Sequence, residues 1–186
     1  MRKAPTYHYP DFISHIRIEA TRHKRYLLRL ELHNPYDKEL LVILKNPSRA
    51  NSTVSDKTVF NICNYIYRNK GRHEALHQVG RISIVNLMPH YLTDSNLLHT
   101  QKEGLMDSKN FETIDTLCQQ ITTVIIAWGN APKGLTKTYK HMTSKALTIL
   151  GTRQNRVYYV KQLSASGHPR HGQIWAYTDP LIPYTL

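Results

Sequence analysis

The segment Leu40-Leu41-Val42-Ile43-Leu44 constrains this chain most, because five apolar residues follow one another with no polar alternation. A strand of that kind is covered on both faces, as in a parallel sheet flanked by helices. Further apolar runs recur at Ile82-Ser83-Ile84-Val85, Val124-Ile125-Ile126-Ala127 and Val157-Tyr158-Tyr159-Val160. Each is preceded by a segment of helical period: Val59, Ile62, Cys63 and Ile66, then Phe111, Ile114, Leu117, Cys118 and Ile121, then Tyr139, Met142, Ala146, Leu147 and Leu150. Gly151 stands where the third helix would end in a left-handed C′ residue. Strands alternating with helices predict an α/β fold, a three-layer α/β/α sandwich with a mainly parallel four-stranded central sheet. The β-prone runs Ile16 to Glu19 and Tyr26 to Leu32 add an N-terminal β-hairpin, and the weakly periodic stretch from Asp94 to Asp107 reads as an extended loop.

With 186 residues the chain suits a single domain spanning 1–186, since a core of this size buries about two-thirds of the unfolded surface. No apolar stretch follows Met1-Arg2-Lys3, and no run approaches the ~20 apolar residues of a spanning helix. A soluble, cytoplasmic protein with no membrane partner is expected. Lys and Arg number 25 against 13 Asp and Glu, a formal charge of +12, which favours a polyanionic partner, DNA or a nucleotide first. Cys63 and Cys118 fall on predicted buried helix faces and suggest neither a disulfide framework nor a zinc knuckle. The oligomeric state stays open.

In open parallel sheets, ligands bind beyond the carboxyl ends of the strands, where loops converge and helix N-termini turn their amides outward. Four segments occupy those places: Lys45-Asn46-Pro47-Ser48, Asn86-Leu87-Met88-Pro89, Trp128-Gly129-Asn130 and Gly167-His168-Pro169-Arg170-His171. Each residue also has an ordinary structural reading. Asn-Pro commonly begins a turn, a buried Asn amide can bond a neighbouring loop, and a single Trp is most often a core residue. His168 and His171 lack the further Cys or His that a zinc site requires, so no metal is expected.

The series Asn46-Pro-Ser-x-Ala50, Asp56-x-Thr58, Val85-Asn86-Leu87, Thr93-Asp94, Trp128-Gly129 and Gly167-His-Pro-Arg-His171 resembles the domain of unknown function 1643 family over about residues 25 to 175. Two positions depart from that family's usual pattern, Tyr91 in place of Arg and Lys45 in place of an apolar residue. More distantly, the four loops in their order resemble the uracil-DNA glycosylase superfamily. That resemblance implies hydrolysis of an N-glycosidic bond in DNA or a nucleotide, with no metal or organic cofactor. Asn46 would hold the attacking water, and His168 would donate to charge developing on the departing base. An Asn cannot act as a general base, so Asn46 would only orient the water and catalysis is expected to be slow unless Asp56 or Asp94 reaches the site. Asn86, Ser48 and Trp128 would contact the base. Arg153, Arg156, Lys161, Arg170 and His171 would hold phosphates, the alternative being a solvated basic face. A non-catalytic nucleic-acid binder using the same pocket and basic face is the competing class, and an enzyme acting on free nucleotides is a third.

The charge generates a direct test. Affinity for DNA or RNA is expected to fall steeply between low and physiological salt, as counterion release requires; salt-independent binding in a filter or fluorescence assay would move weight to a small nucleotide.

Overall fold

Hydrophobic alternation and unbroken apolar runs resolve into two kinds of strand in the computed structural model, which describes residues 7–100 and 104–186. The hairpin β1 (Ile13–Ala20) and β2 (Arg25–Leu32) is followed by β3 (Lys38–Leu44), α1 (Lys57–Asn69), β4 (Val79–Asn86), α2 (Ser108–Gln120), β5 (Thr123–Ile126), α3 (Thr136–Thr152), β6 (Arg156–Val160) and β7 (Leu181–Pro183). Short 3-10 turns lie at Glu74–Leu76, Ser95–Thr100 and Gly172–Ile174.

All seven strands join one sheet in the order β1-β2-β4-β3-β5-β6-β7. The pairings of β3 with β4, β3 with β5 and β5 with β6 are parallel, whereas β1–β2, β2–β4 and β6–β7 are antiparallel. The expectation of a mainly parallel four-stranded sheet is therefore corrected to a seven-stranded mixed sheet with both pairing types equally represented. The hairpin continues the main sheet through β2, because Leu28 and Leu30 bury against α1 beside β4. At the other margin β7 adds a strand whose three residues carry no readable period. A second correction concerns Gly151, which lies inside α3; the helix runs on to Thr152 and is capped by Arg153.

Alternation along β3 divides the interior. Leu40, Val42 and Leu44 face Val59, Ile62, Cys63 and Ile66 of α1, while Leu41 and Ile43 face Phe111, Ile114 and Leu117 of α2 and Met142, Ala146 and Leu150 of α3. Helices thus cover both sides of the sheet. Both cysteines are buried and unpaired.

Two side chains start the first two helices in the same way. Asp56 accepts from the Val59 amide at 2.9 Å at the start of α1, and Asp107 accepts from the Asn110 amide at 2.9 Å at the start of α2, each satisfying one otherwise orphaned donor. The side chain of Asn110 then donates to the carbonyls of Asn86 and Leu87, fixing the end of β4 against α2. Among the described residues no helix is long and apolar enough to cross a membrane.

Gly80 marks the tightest approach along β4, since a Cβ there would stand 1.8 Å from the backbone oxygen of Tyr36. Backbone cannot swing aside as a side chain can. Gly80→Ala is expected to cost at least the upper part of the ~1–3 kcal/mol range for overpacking, read as a lowered urea midpoint.

Candidate functional site

Beyond the carboxyl end of β3 the loop 45–56 leads to α1 and borders a cavity of about 440 Å³. From β3 and the loop after it come Lys45, Asn46 and Ser48; from the first turn of α1 come Asp56 and Thr58; and His171 and Gln173 enter from the loop after β6. Arg25, at the start of β2, forms part of the wall.

The loop after β6 reaches this cavity because α1 holds it there. Asn61 donates to the carbonyls of Gly172 at 2.7 Å and Trp175 at 3.0 Å. Gly172 lies so close to α1 that a Cβ would meet Ile62 at 2.7 Å, and the Trp175 indole donates back to the Arg170 carbonyl. On the other side, Gly129 adopts a left-handed φ of 67° and donates to the Pro169 carbonyl. A Cβ on Gly129 would press on that of His171 at 3.1 Å. The turns after β5 and β6 therefore pack directly against each other.

Each cavity group has a definable chemical state. Asn46 donates through Nδ2 to the carbonyls of Pro47 and Leu92, at 3.0 and 2.7 Å. What it can offer a ligand is consequently its Oδ1 acceptor. Asp56 caps α1 through Oδ1, and among the described residues its Oδ2 receives long contacts of 3.4 Å from the Arg49 and Ala50 amides. In His171, Nδ1 accepts from the Gln173 amide at 3.3 Å, which leaves the proton of the neutral ring on Nε2. Burial, reinforced by the Lys45 ammonium and opposed by Asp56, pulls the His171 pKa down to about 4. The ring is neutral at physiological pH.

The two inner cations are unusual. Arg25 is 1% exposed; one terminal nitrogen donates to the Ala50 carbonyl at 3.1 Å, while its Nε has no partner. Burial lowers the pKa of Arg25, and it also lowers that of Lys45. Among the described residues no carboxylate stands within 4 Å of either.

The residues expected from the sequence divide accordingly. Asn46, Ser48, Asp56 and His171 line one cavity, and Thr93 and Ser95, on either side of the exposed Asp94, line it too. His168 does not line it: its half-buried ring stands edge-on to Tyr139 with centroids 5.6 Å apart, and burial with the nearby Lys45 charge lowers its pKa. Asn86 is fully buried with neither side-chain polar atom partnered, in register with Leu44 on β3. Trp128 packs in the core against α2 and α3, its Nε1 unpartnered.

Of the basic residues, Arg153 forms a two-pronged pair with Asp115 at 2.8 and 2.6 Å. Arg156 begins β6, at the end of the sheet away from the cavity, where it lines a separate hollow with Asp37, Lys38 and Arg81. Lys161 lies 3.8 Å from Asp179, and Arg170 donates to the Gln162 carbonyl. Arg153 and Arg156 are therefore not brought together with Lys161, Arg170 and His171.

Sequence reasoning missed Arg25 as a site residue, because a charged residue opening a strand normally reads as exposed. Lys45 carried a signal, a cation ending an apolar run, yet nothing in the run said which way it turns. Thr58 was legible only as part of the Asp56-x-Thr58 motif, and Gln173 gave no signal.

A mixed α/β sheet with helices on both faces and a cationic cavity beyond its parallel strands defines the class of protein. The family model described as Protein of unknown function (DUF1643) matches residues 25–172, and the chain belongs to that family. No curated protein and no solved structure matches it.

His171 links the site to stability. Its folded pKa of about 4 lies below the ordinary 6.5, so between those values the unfolded chain binds more protons and stability falls as pH is lowered through that window. His171→Asn is expected to flatten the pH dependence of urea stability there by at most about 1.4 kcal/mol per pH unit. An unchanged slope would place the titrating group elsewhere.

Proposed function

We propose that this cavity binds a nucleotide, free or within DNA, and hydrolyses its N-glycosidic bond. The observation that carries the reading is the enclosure of Asn46, Asp56 and a neutral His171 in one cavity. In the reaction, the water oxygen bonds to the anomeric carbon, the carbon–nitrogen bond breaks, and its electron pair leaves with the base. Asn46 orients the water through Oδ1, and Asp56, through its loosely held Oδ2, accepts the water proton as the bond forms.

The departing base needs a donor where negative charge grows. The Nε2–H of His171 serves there, since a neutral imidazole can donate without first requiring a counter-charge. His168, the donor implied by the distant resemblance to the uracil-DNA glycosylase superfamily, becomes the second candidate. For base recognition, Ser48 is the group at hand, while the unpartnered amide of Asn86 and the Trp128 indole would act only after the loops shift. That burial of Asn86 and Trp128 favours one alternative, a non-catalytic module that recognises a nucleotide or nucleic acid in the same cavity.

Release of free base from duplex, single-stranded and mononucleotide substrates carrying uracil and modified bases tests the reading. His171→Ala is expected to lower the single-turnover rate by about 10²–10³ with binding little changed. His168→Ala should have a smaller effect. Binding without base release from any substrate would leave only the recognition module.

A further inference from the structure

The cavity holds more positive charge than the proposed hydrolysis uses. Arg25 is enclosed in the wall with its Nε unpartnered, Lys45 lines the same cavity, and no carboxylate among the described residues comes within 4 Å of either. Taking a cation out of water is costly, and the hydrogen bond from Arg25 to the Ala50 carbonyl leaves its Nε unmatched.

The third contributor is the N-terminus of α1. Asp56 satisfies the Val59 amide with its side chain and the Phe60 amide with its carbonyl. The amides of Lys57 and Thr58 open the helix without intrahelical acceptors, and both residues line the cavity, as does the Ser48 hydroxyl. A 13-residue helix directs about half a positive charge at that end. Among the described residues lining the cavity the opposing charge is Asp56, whose oxygens are turned to the Val59, Arg49 and Ala50 amides.

We infer that Arg25, Lys45 and the first turn of α1 form a subsite for a phosphate monoester, the terminal phosphate of a nucleotide. One buried and one half-buried cation, with open helix amides, match a dianion bearing several acceptor oxygens. An internal phosphodiester offers one charge and must continue in both directions. A cavity of about 440 Å³ falls within the range for small-molecule sites, ~300–1,000 Å³, and accommodates one nucleotide unit. This deepens the proposed function and rests on it for the identity of the substrate: the phosphate anchors the nucleotide while Asn46, Asp56 and His171 act on its glycosidic bond. Such remote anchoring supplies binding energy that orients the reacting end.

Calorimetric titration of the full chain tests the subsite apart from any chemistry. The titrants are inorganic phosphate, a deoxynucleoside, its 5′-monophosphate, and a short oligonucleotide with either a 5′-phosphate or a 5′-hydroxyl. The monophosphate is expected to bind at least tenfold tighter than the nucleoside, with inorganic phosphate competing. Lys45→Met should lower monophosphate affinity tenfold or more, bringing its ratio to the nucleoside toward one. Arg25→Lys, with folding checked by circular dichroism, should do the same; if that variant unfolds, Lys45→Met alone decides. Tight binding of the 5′-phosphorylated oligonucleotide would assign the subsite to strand ends, and binding of the mononucleotide alone would assign it to free nucleotides.

Equal affinity for nucleoside and monophosphate, equal affinity for the two oligonucleotides with the mononucleotide no tighter, or wild-type affinity in Lys45→Met would overturn the subsite. Base release from a nucleoside under those results would leave the hydrolysis reading standing. Phosphate-dependent binding with no base release would overturn hydrolysis and keep the subsite.

Discussion

Strand β3 contributes Leu40, Leu41, Val42 and Ile43, none with measurable solvent exposure, and it can exist only between two covering layers. Stripping either side would return about 1.5–3 kcal/mol of burial per large apolar side chain. The α1 layer meets one set of alternate residues and the α2–α3 layer the other. Because β4, β5 and β6 run parallel to β3, their outgoing loops emerge at one end. The placement of the polar loops is thus a consequence of burying one apolar strand.

Helix α1 couples that architecture to the cavity. Its apolar face supplies much of one core, its first turn lines the cavity, and Asn61 on its second turn grips the loop that carries His171. Farther along, Tyr65 and Asn69 donate to the carbonyls of Asp179 and Tyr177, so the C-terminal segment is fastened by the same helix. A change on α1 that loosens packing is therefore also a change in the position of His171.

The cavity trades stability for electrostatic readiness. Desolvation lowers the pKa of Arg25, Lys45 and His171 alike, yet the outcomes differ by residue type. A guanidinium starts far above physiological pH and stays charged. The imidazole starts near 6.5 and becomes neutral. One enclosure thereby yields an anion-attracting wall next to an uncharged hydrogen-bond donor.

The sequence by itself determined the elements whose signal is local. The run at β3, the hairpin, three amphipathic helices and the buried thiols were all readable, because burial period and chain order survive in one dimension; so was the identity of Asn46 and Ser48 as loop residues after a buried strand, whereas Asp56 was singled out only by the family motif. Only the tertiary structure decided what those elements face. It attached the hairpin to β4 and added β7, since edge pairing depends on which backbone groups remain unpaired after the centre has formed. It also brought His171 rather than His168 into the cavity, because Asn61 and the glycines at 129 and 172 set the path of that loop. Arg25 entered the site through the register of β2, and the burial of a charged side chain is a property of its neighbours in space.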